Sequence, residues 1–157
     1  MPLVKDDMTK TSCPILLLSS EHSNYIAGNK QPITSENIAY RAEINNFVYS
    51  KECFINDKIF QAEFSLLFII KPDQTEEANI TLPFYVGFLN AKDEVIDKQY
   101  YKVDGNFKSE SENENYVETE LIKTMKVQIP LLNENKINEN KIILGFMLDK
   151  KKLDILN

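Results

Sequence analysis

Hydrophobic and polar residues alternate with a period of two along much of the chain. The longest series has an apolar residue at every second position: Phe60, Ala62, Phe64, Leu66, Phe68 and Ile70. A period of two places alternate side chains on opposite faces of a strand, so this segment predicts a strand with one buried face. Ten-residue stretches with a helical period are missing from the sequence.

Six further apolar or alternating segments each predict a strand: residues 13–18, 38–44, 80–88, 95–103, 117–129 and 142–148. Together with residues 60–70 they predict an all-β fold, a single immunoglobulin-like β-sandwich of about seven antiparallel strands. Polar segments predict loops or connections at residues 19–36, 109–115 and 133–140. Pro83 cannot donate a ladder hydrogen bond, so it predicts an edge position or a bulge in its strand. Residues 149–157 predict one helical turn.

The chain length of 157 residues predicts one domain. We expect the sandwich to occupy residues 13–157, and residues 1–12 to be disordered or left over from an expression vector. The longest strongly apolar run, residues 66–70, is far shorter than the roughly 20 residues that span a membrane, so no transmembrane segment is expected. The first residues lack the apolar centre of a signal peptide. Two locations stay open: a cytoplasmic protein, or a mature chain from which a signal was removed.

Charge and composition exclude several functional classes. Lysine and arginine total 18 and aspartate and glutamate total 24, which gives a net charge of −6. Because an acidic chain repels phosphate backbones, no nucleic-acid partner is expected. The sequence also lacks a glycine-rich phosphate loop, a nucleophile elbow and the HExxH zinc motif. We therefore predict a protein that is not an enzyme, with no catalytic residue, no cofactor and no metal site.

His22 is the single histidine of the chain. Its neighbours Ser20, Glu21 and Ser23 are adjacent in sequence, and adjacent residues do not converge on one another as a catalytic triad requires. A zinc site needs about four ligands, which this inventory supplies only at unsuitable spacings. The sequence predicts that His22 lies in a surface loop.

Cys13 and Cys53 are the two cysteines of the chain, and three interpretations remain open for them. They form a disulfide if the protein occupies an oxidising compartment. They are two buried free thiols in a reducing one. One of them is a reactive nucleophile if His22 serves as its base.

Four tyrosines are candidates for a protein-contact surface: Tyr85, Tyr100, Tyr101 and Tyr116. We expect them to share one face of neighbouring strands, where exposed tyrosines make good partner contacts. The alternative is ordinary sheet packing through cross-strand aromatic pairs.

Six short motifs follow one another along residues 13–157: Cys13-Pro14, Ala42-Glu43-Ile44, Cys53-Phe54, residues 82–89, residues 127–130 and residues 143–148. This order resembles a family of small, uncharacterised envelope lipoproteins of alphaproteobacteria. The resemblance implies a periplasmic or envelope-associated location and a disulfide between Cys13 and Cys53. It is compatible with a peripheral or lipid-anchored association with the membrane, and it brings no catalytic residue with it.

These observations favour a non-enzymatic protein-interaction or structural module of the bacterial cell envelope, an accessory subunit of a larger assembly with a protein partner. The alternative is a β domain that binds a small apolar ligand in a pocket lined by Phe64, Phe68, Phe84 and Phe146. A third hypothesis is a thiol enzyme that uses Cys13 or Cys53 with His22.

Overall fold

A computed structural model describes residues 8–110, 115–131 and 139–157. These residues form one α-helix, α1 (Lys150–Leu156), a 3₁₀ turn at Ser20–His22, and twelve strands, which confirms an all-β fold. The strands are β1 (Thr9–Thr11), β2 (Ile15–Leu18), β3 (Asn24–Gly28), β4 (Ile38–Tyr49), β5 (Cys53–Ile55), β6 (Ile59–Pro72), β7 (Asn79–Leu89), β8 (Val95–Asn106), β9 (Lys108–Ser109), β10 (Tyr116–Val117), β11 (Thr119–Pro130) and β12 (Lys141–Phe146).

The first sheet is built around β6, its longest strand. One edge of β6 pairs with β11 along the whole length of β11. The other edge is shared, because β5 pairs with its beginning and β4 with the remainder. β3 extends the sheet beyond β4, and β1 extends it beyond β5. All of these pairings are antiparallel.

The second sheet has the order β2-β12-β7-β8. β7 pairs antiparallel with both β8 and β12, whereas β2 pairs parallel with β12. A separate two-stranded ribbon is formed by β9 and β10. The prediction that all strands are antiparallel is therefore wrong for β2 and β12. These two strands are neighbours in the sheet although β2 begins at Ile15 and β12 at Lys141.

The core lies between the buried faces of the two sheets. Phe68 of β6 packs against Phe84 of β7 and Phe146 of β12, with ring centroids 5.5 and 5.8 Å apart. Phe60 of β6 and Phe88 of β7 make a similar contact at 5.8 Å. All five rings are excluded from solvent, so the alternating apolar positions of β6 and β7 face each other as a period of two requires.

The expected number of about seven strands is too low for the described residues. Four short strands, β1, β5, β9 and β10, were not predicted, and residues 24–28 of the predicted 19–36 loop form β3. In β3, Tyr25 faces the core and packs on Phe146, while Ile26 is buried with Ile155 and Leu156 of α1. Because α1 covers the outer face, β3 has apolar residues on both faces and lacks the alternation by which strands are detected.

The helix α1 confirms the helical turn predicted for residues 149–157. Asp149 caps it, because its side chain accepts a hydrogen bond of 2.9 Å from the backbone N–H of Lys152. The Lys152 ammonium donates to the Tyr25 hydroxyl at 2.8 Å and lies 4.3 Å from the centroid of that ring. Burial lowers the pKa of Lys152, against the opposing effect of Asp149.

Pro83 lies inside the second sheet, so the predicted edge position or bulge at this residue is wrong. It pairs with Lys102 of β8, and the irregularity of this pairing falls at Phe88 and Leu89 instead. Its carbonyl accepts from the N–H of Met147, one residue beyond the end of β12. Proline has no N–H group, and the nitrogen of Pro83 faces the side on which the β12 ladder ends. One missing hydrogen bond is tolerated at such a position.

The N-terminal segment is tied to both sheets. Cys13 and Cys53 form a disulfide, as the family resemblance implied. Next to it, the Tyr49 hydroxyl donates a 2.7 Å hydrogen bond to the carbonyl of Pro14. Thr9–Thr11 pair with β5, so the expected disorder of residues 1–12 is wrong for these three residues. Residues 1–7 lie outside the described residues, as do most of the predicted polar connections at 109–115 and 133–140.

Candidate functional site

The outer face of the second sheet carries most of the exposed large hydrophobic side chains. Among the described residues seven such side chains are exposed, and five of them lie on this face. Ile15, Val95 and Tyr100 are 61, 60 and 59% exposed. We call this surface the platform and define it by six residues: Ile15, Leu17, Val95, Tyr100, Ile143 and Met147. A concentration of exposed apolar side chains on one face marks a candidate interaction site on a soluble protein.

Strand register shows which apolar residues of the outer face are neighbours. Leu17 of β2 is the partner of Ile143 of β12, and Leu89 of β7 is the partner of Val95 of β8. Lys141 lies between Ile15 and Leu89. The apolar residues therefore form local pairs that are distributed over the four strands, with polar positions between them.

Tyr85 lies beside the platform at the centre of a polar cluster. Its hydroxyl is hydrogen-bonded to Nδ1 of His22 at 2.7 Å, and Ser19 Oγ lies 3.5 Å from the same nitrogen. The Lys98 ammonium lies 4.3 Å from the centroid of the Tyr85 ring. Burial raises the pKa of the Tyr85 phenol, nearby Ser19 lowers it and nearby Glu21 raises it. His22 therefore holds the phenol in place by its hydrogen bond, while Lys98 covers the Tyr85 ring.

Two glycines allow side chains to lie flat on the outer face. A Cβ on Gly145 would come within 2.6 Å of the Tyr85 hydroxyl oxygen and 2.8 Å of the His22 Cβ. A Cβ on Gly87 would come within 2.9 Å of a methyl carbon of Ile143. Such distances are below van der Waals contact, so only glycine leaves room for the Tyr85 ring and the Ile143 side chain.

We expect Gly145→Ala to displace Tyr85 and to lower the free energy of unfolding by about 1–3 kcal/mol, the usual cost of overpacking. Chemical denaturation measures the change. Gly105→Ala is the matched control, because its Cβ would meet the terminal carbons of the flexible Leu121 side chain. An unchanged stability of Gly145→Ala would contradict the close packing of Tyr85 on this strand.

The structure brings together two of the four predicted tyrosines. Tyr85 and Tyr100 are direct cross-strand partners on the outer face. Tyr101 lies on the opposite face of β8, where its ring stacks on Phe84 at 5.7 Å. Tyr116 belongs to the β9–β10 ribbon and packs on Phe107 at 5.8 Å. The expectation that all four share one face is therefore wrong, since consecutive residues of a strand point to opposite faces.

His22 has a partner that adjacency in sequence did not reveal. The 3₁₀ turn directs it across the sheet edge to Tyr85, 63 residues away. Among the described residues no carboxylate oxygen is hydrogen-bonded to its ring, so the pair is a phenol and an imidazole without the third member of a triad. The one signal for this contact in the sequence is Gly145, a glycine at an outward position of an alternating strand.

The residues named for the apolar-ligand pocket and the cysteines named for the thiol enzyme lie in the core and in the disulfide, respectively. Phe64, Phe68, Phe84 and Phe146 have no exposed surface and fill the space between the sheets. Three surface clefts of about 210 to 240 Å³ are lined by none of them. The thiols proposed as nucleophiles are both part of the disulfide.

Two features are absent from the described residues: a cluster of metal-ligating side chains and a membrane-spanning helix. These residues contain no group of three His, Cys, Asp or Glu side chains arranged to hold a metal ion. They also contain no helix long and apolar enough to cross a membrane. Compared with known proteins, the chain matches no protein-family model, no curated protein and no solved structure.

Proposed function

We propose that the protein is a non-enzymatic interaction module of the bacterial cell envelope and acts as an accessory subunit that binds a protein partner through the platform. The observation that carries this proposal is the concentration of exposed hydrophobic side chains on one sheet face, five of the seven among the described residues. Exposed apolar side chains that concentrate on one face are typical of interaction surfaces, and aromatic residues such as Tyr100 are enriched where partners dock.

We infer further that the finer fold class is a single immunoglobulin-like sandwich. Its support is the order in which the chain alternates between the sheets: β6 is followed by β7 and β8 in the second sheet, then β11 returns beside β6 and β12 beside β7. This exchange is typical of Greek-key sandwiches. The parallel pairing of β2 with β12 departs from a purely antiparallel arrangement.

The envelope location is supported by the disulfide between Cys13 and Cys53. Structural disulfides form and persist in oxidising compartments such as the bacterial periplasm, and they are rare in the cytosol. The resemblance to envelope lipoproteins points to the same compartment.

Substitution of two platform residues tests the proposal. We expect Val95→Asp/Tyr100→Asp to reduce recovery of the partner from solubilised envelope membranes at least about tenfold, because the two changes remove large apolar contacts and place charges in their stead. Quantitative co-purification measures the loss. The matched control is Val48→Asp/Ile122→Asp, which alters the two exposed hydrophobic residues that lie on the first sheet.

Both pairs of residues are exposed, so both variants should keep the fold, which circular dichroism and thermal unfolding check. Equal partner recovery by the platform variant and the native protein would contradict the proposal. So would recovery of the native protein only as a free monomer.

A further inference from the structure

Lys98, a positive charge with no carboxylate within ion-pair distance among the described residues, lies among the platform residues. Lys98 lies on β8 between Val95 and Tyr100, two of the most exposed platform residues. Its ammonium is 4.3 Å from the centroid of the Tyr85 ring and 5.6 Å from that of Tyr100. Within the described part of the chain, every ion pair involves other residues.

The other lysines that flank the platform are already compensated. The Lys141 ammonium lies 2.8 Å from a carboxylate oxygen of Asp93, and the Lys102 ammonium lies 3.9 Å from one of Asp104. Lys98 therefore differs from Lys102 and Lys141 in having no carboxylate within ion-pair distance among the described residues, while two aromatic rings lie next to its ammonium.

The Lys98 ammonium lies over a cluster of aromatic and polar side chains. The Tyr85 ring is held between Gly145 and Lys98, and its hydroxyl is bound by His22. A cation over the face of an aromatic ring is attracted by the ring quadrupole. The two rings therefore favour a position of the ammonium over the outer face of the sheet, where it is exposed and an anionic group of a partner can reach it.

We propose that the platform binds a protein segment that carries a carboxylate between apolar side chains, and that Lys98 pairs with this carboxylate. This inference rests on the proposed function. A partner that covers both Val95 and Tyr100 must also cover Lys98, because Lys98 lies between them. Burying an unpaired charge is strongly unfavourable, so a partner without a carboxylate at this point pays a desolvation cost that an acidic partner avoids.

The test uses the purified full chain and a displayed library of random twelve-residue peptides. Peptides are selected on the native protein and counter-selected on the Val95→Asp/Tyr100→Asp variant, which leaves only peptides that need the platform. We expect the enriched peptides to share an aspartate or glutamate with apolar or aromatic neighbours.

A double-mutant cycle then measures the proposed pair. The most enriched peptide is synthesised with its acidic residue and with the matching amide, and both are titrated against the native protein and Lys98→Gln by fluorescence anisotropy. We expect each single change to weaken binding about tenfold and the two together to add little, since they remove the same interaction. Lys126→Gln, an exposed lysine on the first sheet, is the control and should bind as the native protein does.

Each outcome decides the inference. Enriched peptides without carboxylates, or a Lys98→Gln variant with unchanged affinity, would overturn it while leaving the platform as an interaction site. Binding of phosphatidylglycerol vesicles that depends on Lys98, with no peptide selected, would overturn it in favour of a lipid surface. Failure to select any platform-dependent ligand would count against the proposed function itself.

Discussion

Phe68→Ala is expected to lower the free energy of unfolding by about 3–5 kcal/mol, the range seen when a buried aromatic ring is removed from a core. The Phe68 ring contacts Phe84 and Phe146, which belong to two neighbouring strands of the opposite sheet. Its loss would leave a cavity at the point where three strands meet. The packed strands limit how far the surroundings can collapse to fill it.

Urea denaturation followed by circular dichroism measures this change, provided that the transition is two-state. Tyr100→Ala is the matched control, because it also removes a ring but from a side chain that is 59% exposed. Its cost should stay below about 1 kcal/mol. A cost of that small size for Phe68→Ala would contradict the face-to-face packing of the two sheets.

Removal of the disulfide in Cys13→Ala/Cys53→Ala is expected to lower the free energy of unfolding by about 2–4 kcal/mol. The two cysteines are 40 residues apart in sequence. Chain-entropy arithmetic for a loop of that length gives about 4 kcal/mol as an upper estimate. The fully buried Cys53 also leaves a small cavity when truncated, which acts in the same direction.

Denaturation of the native protein with and without dithiothreitol, beside the double variant, checks this result. Reduction should bring the native protein close to the stability of the double variant, and it should leave the double variant unchanged. If dithiothreitol lowered the stability of both proteins equally, the effect would not come from this disulfide.

The sequence predicted best the strands that have one buried face. Every second residue from Phe60 to Ile70 is apolar, and all six residues of this series are buried in β6. The structure confirms the same pattern in β7 and β12, where the inward positions are apolar and the opposite sheet covers them. Burial of one face is the physical cause of a period of two, so these strands are visible in the sequence.

Irregular pairing limited the prediction elsewhere. β4 continues to Tyr49, beyond the predicted end at residue 44, because its register with β6 shifts between Ile44 and Asn46. A bulge moves the following side chains to the other face, so Phe47 and Tyr49 return to the inner face out of phase with the earlier residues. The alternation stops in the sequence although the strand does not.

The sequence pattern did not predict the candidate site, because the site depends on which strands are neighbours. Tyr85 was predicted as a surface residue and His22 as a loop residue, and their contact depends on the order of strands in the second sheet. Strand order is set by long-range pairing, which local periodicity does not encode. The platform depends on strand order in the same way, because its residues come from β2, β8 and β12 and from Met147 directly after β12.

The parallel pairing of β2 with β12 also has a consequence for the order of events during synthesis. Residue 15 emerges long before its ladder partner at residue 141. Cys53, in contrast, is available much sooner and can hold Cys13 near its final position before β12 exists. In an oxidising compartment the disulfide therefore shortens the loop that the pairing of β2 with β12 must close, because the path along the chain can run through Cys53.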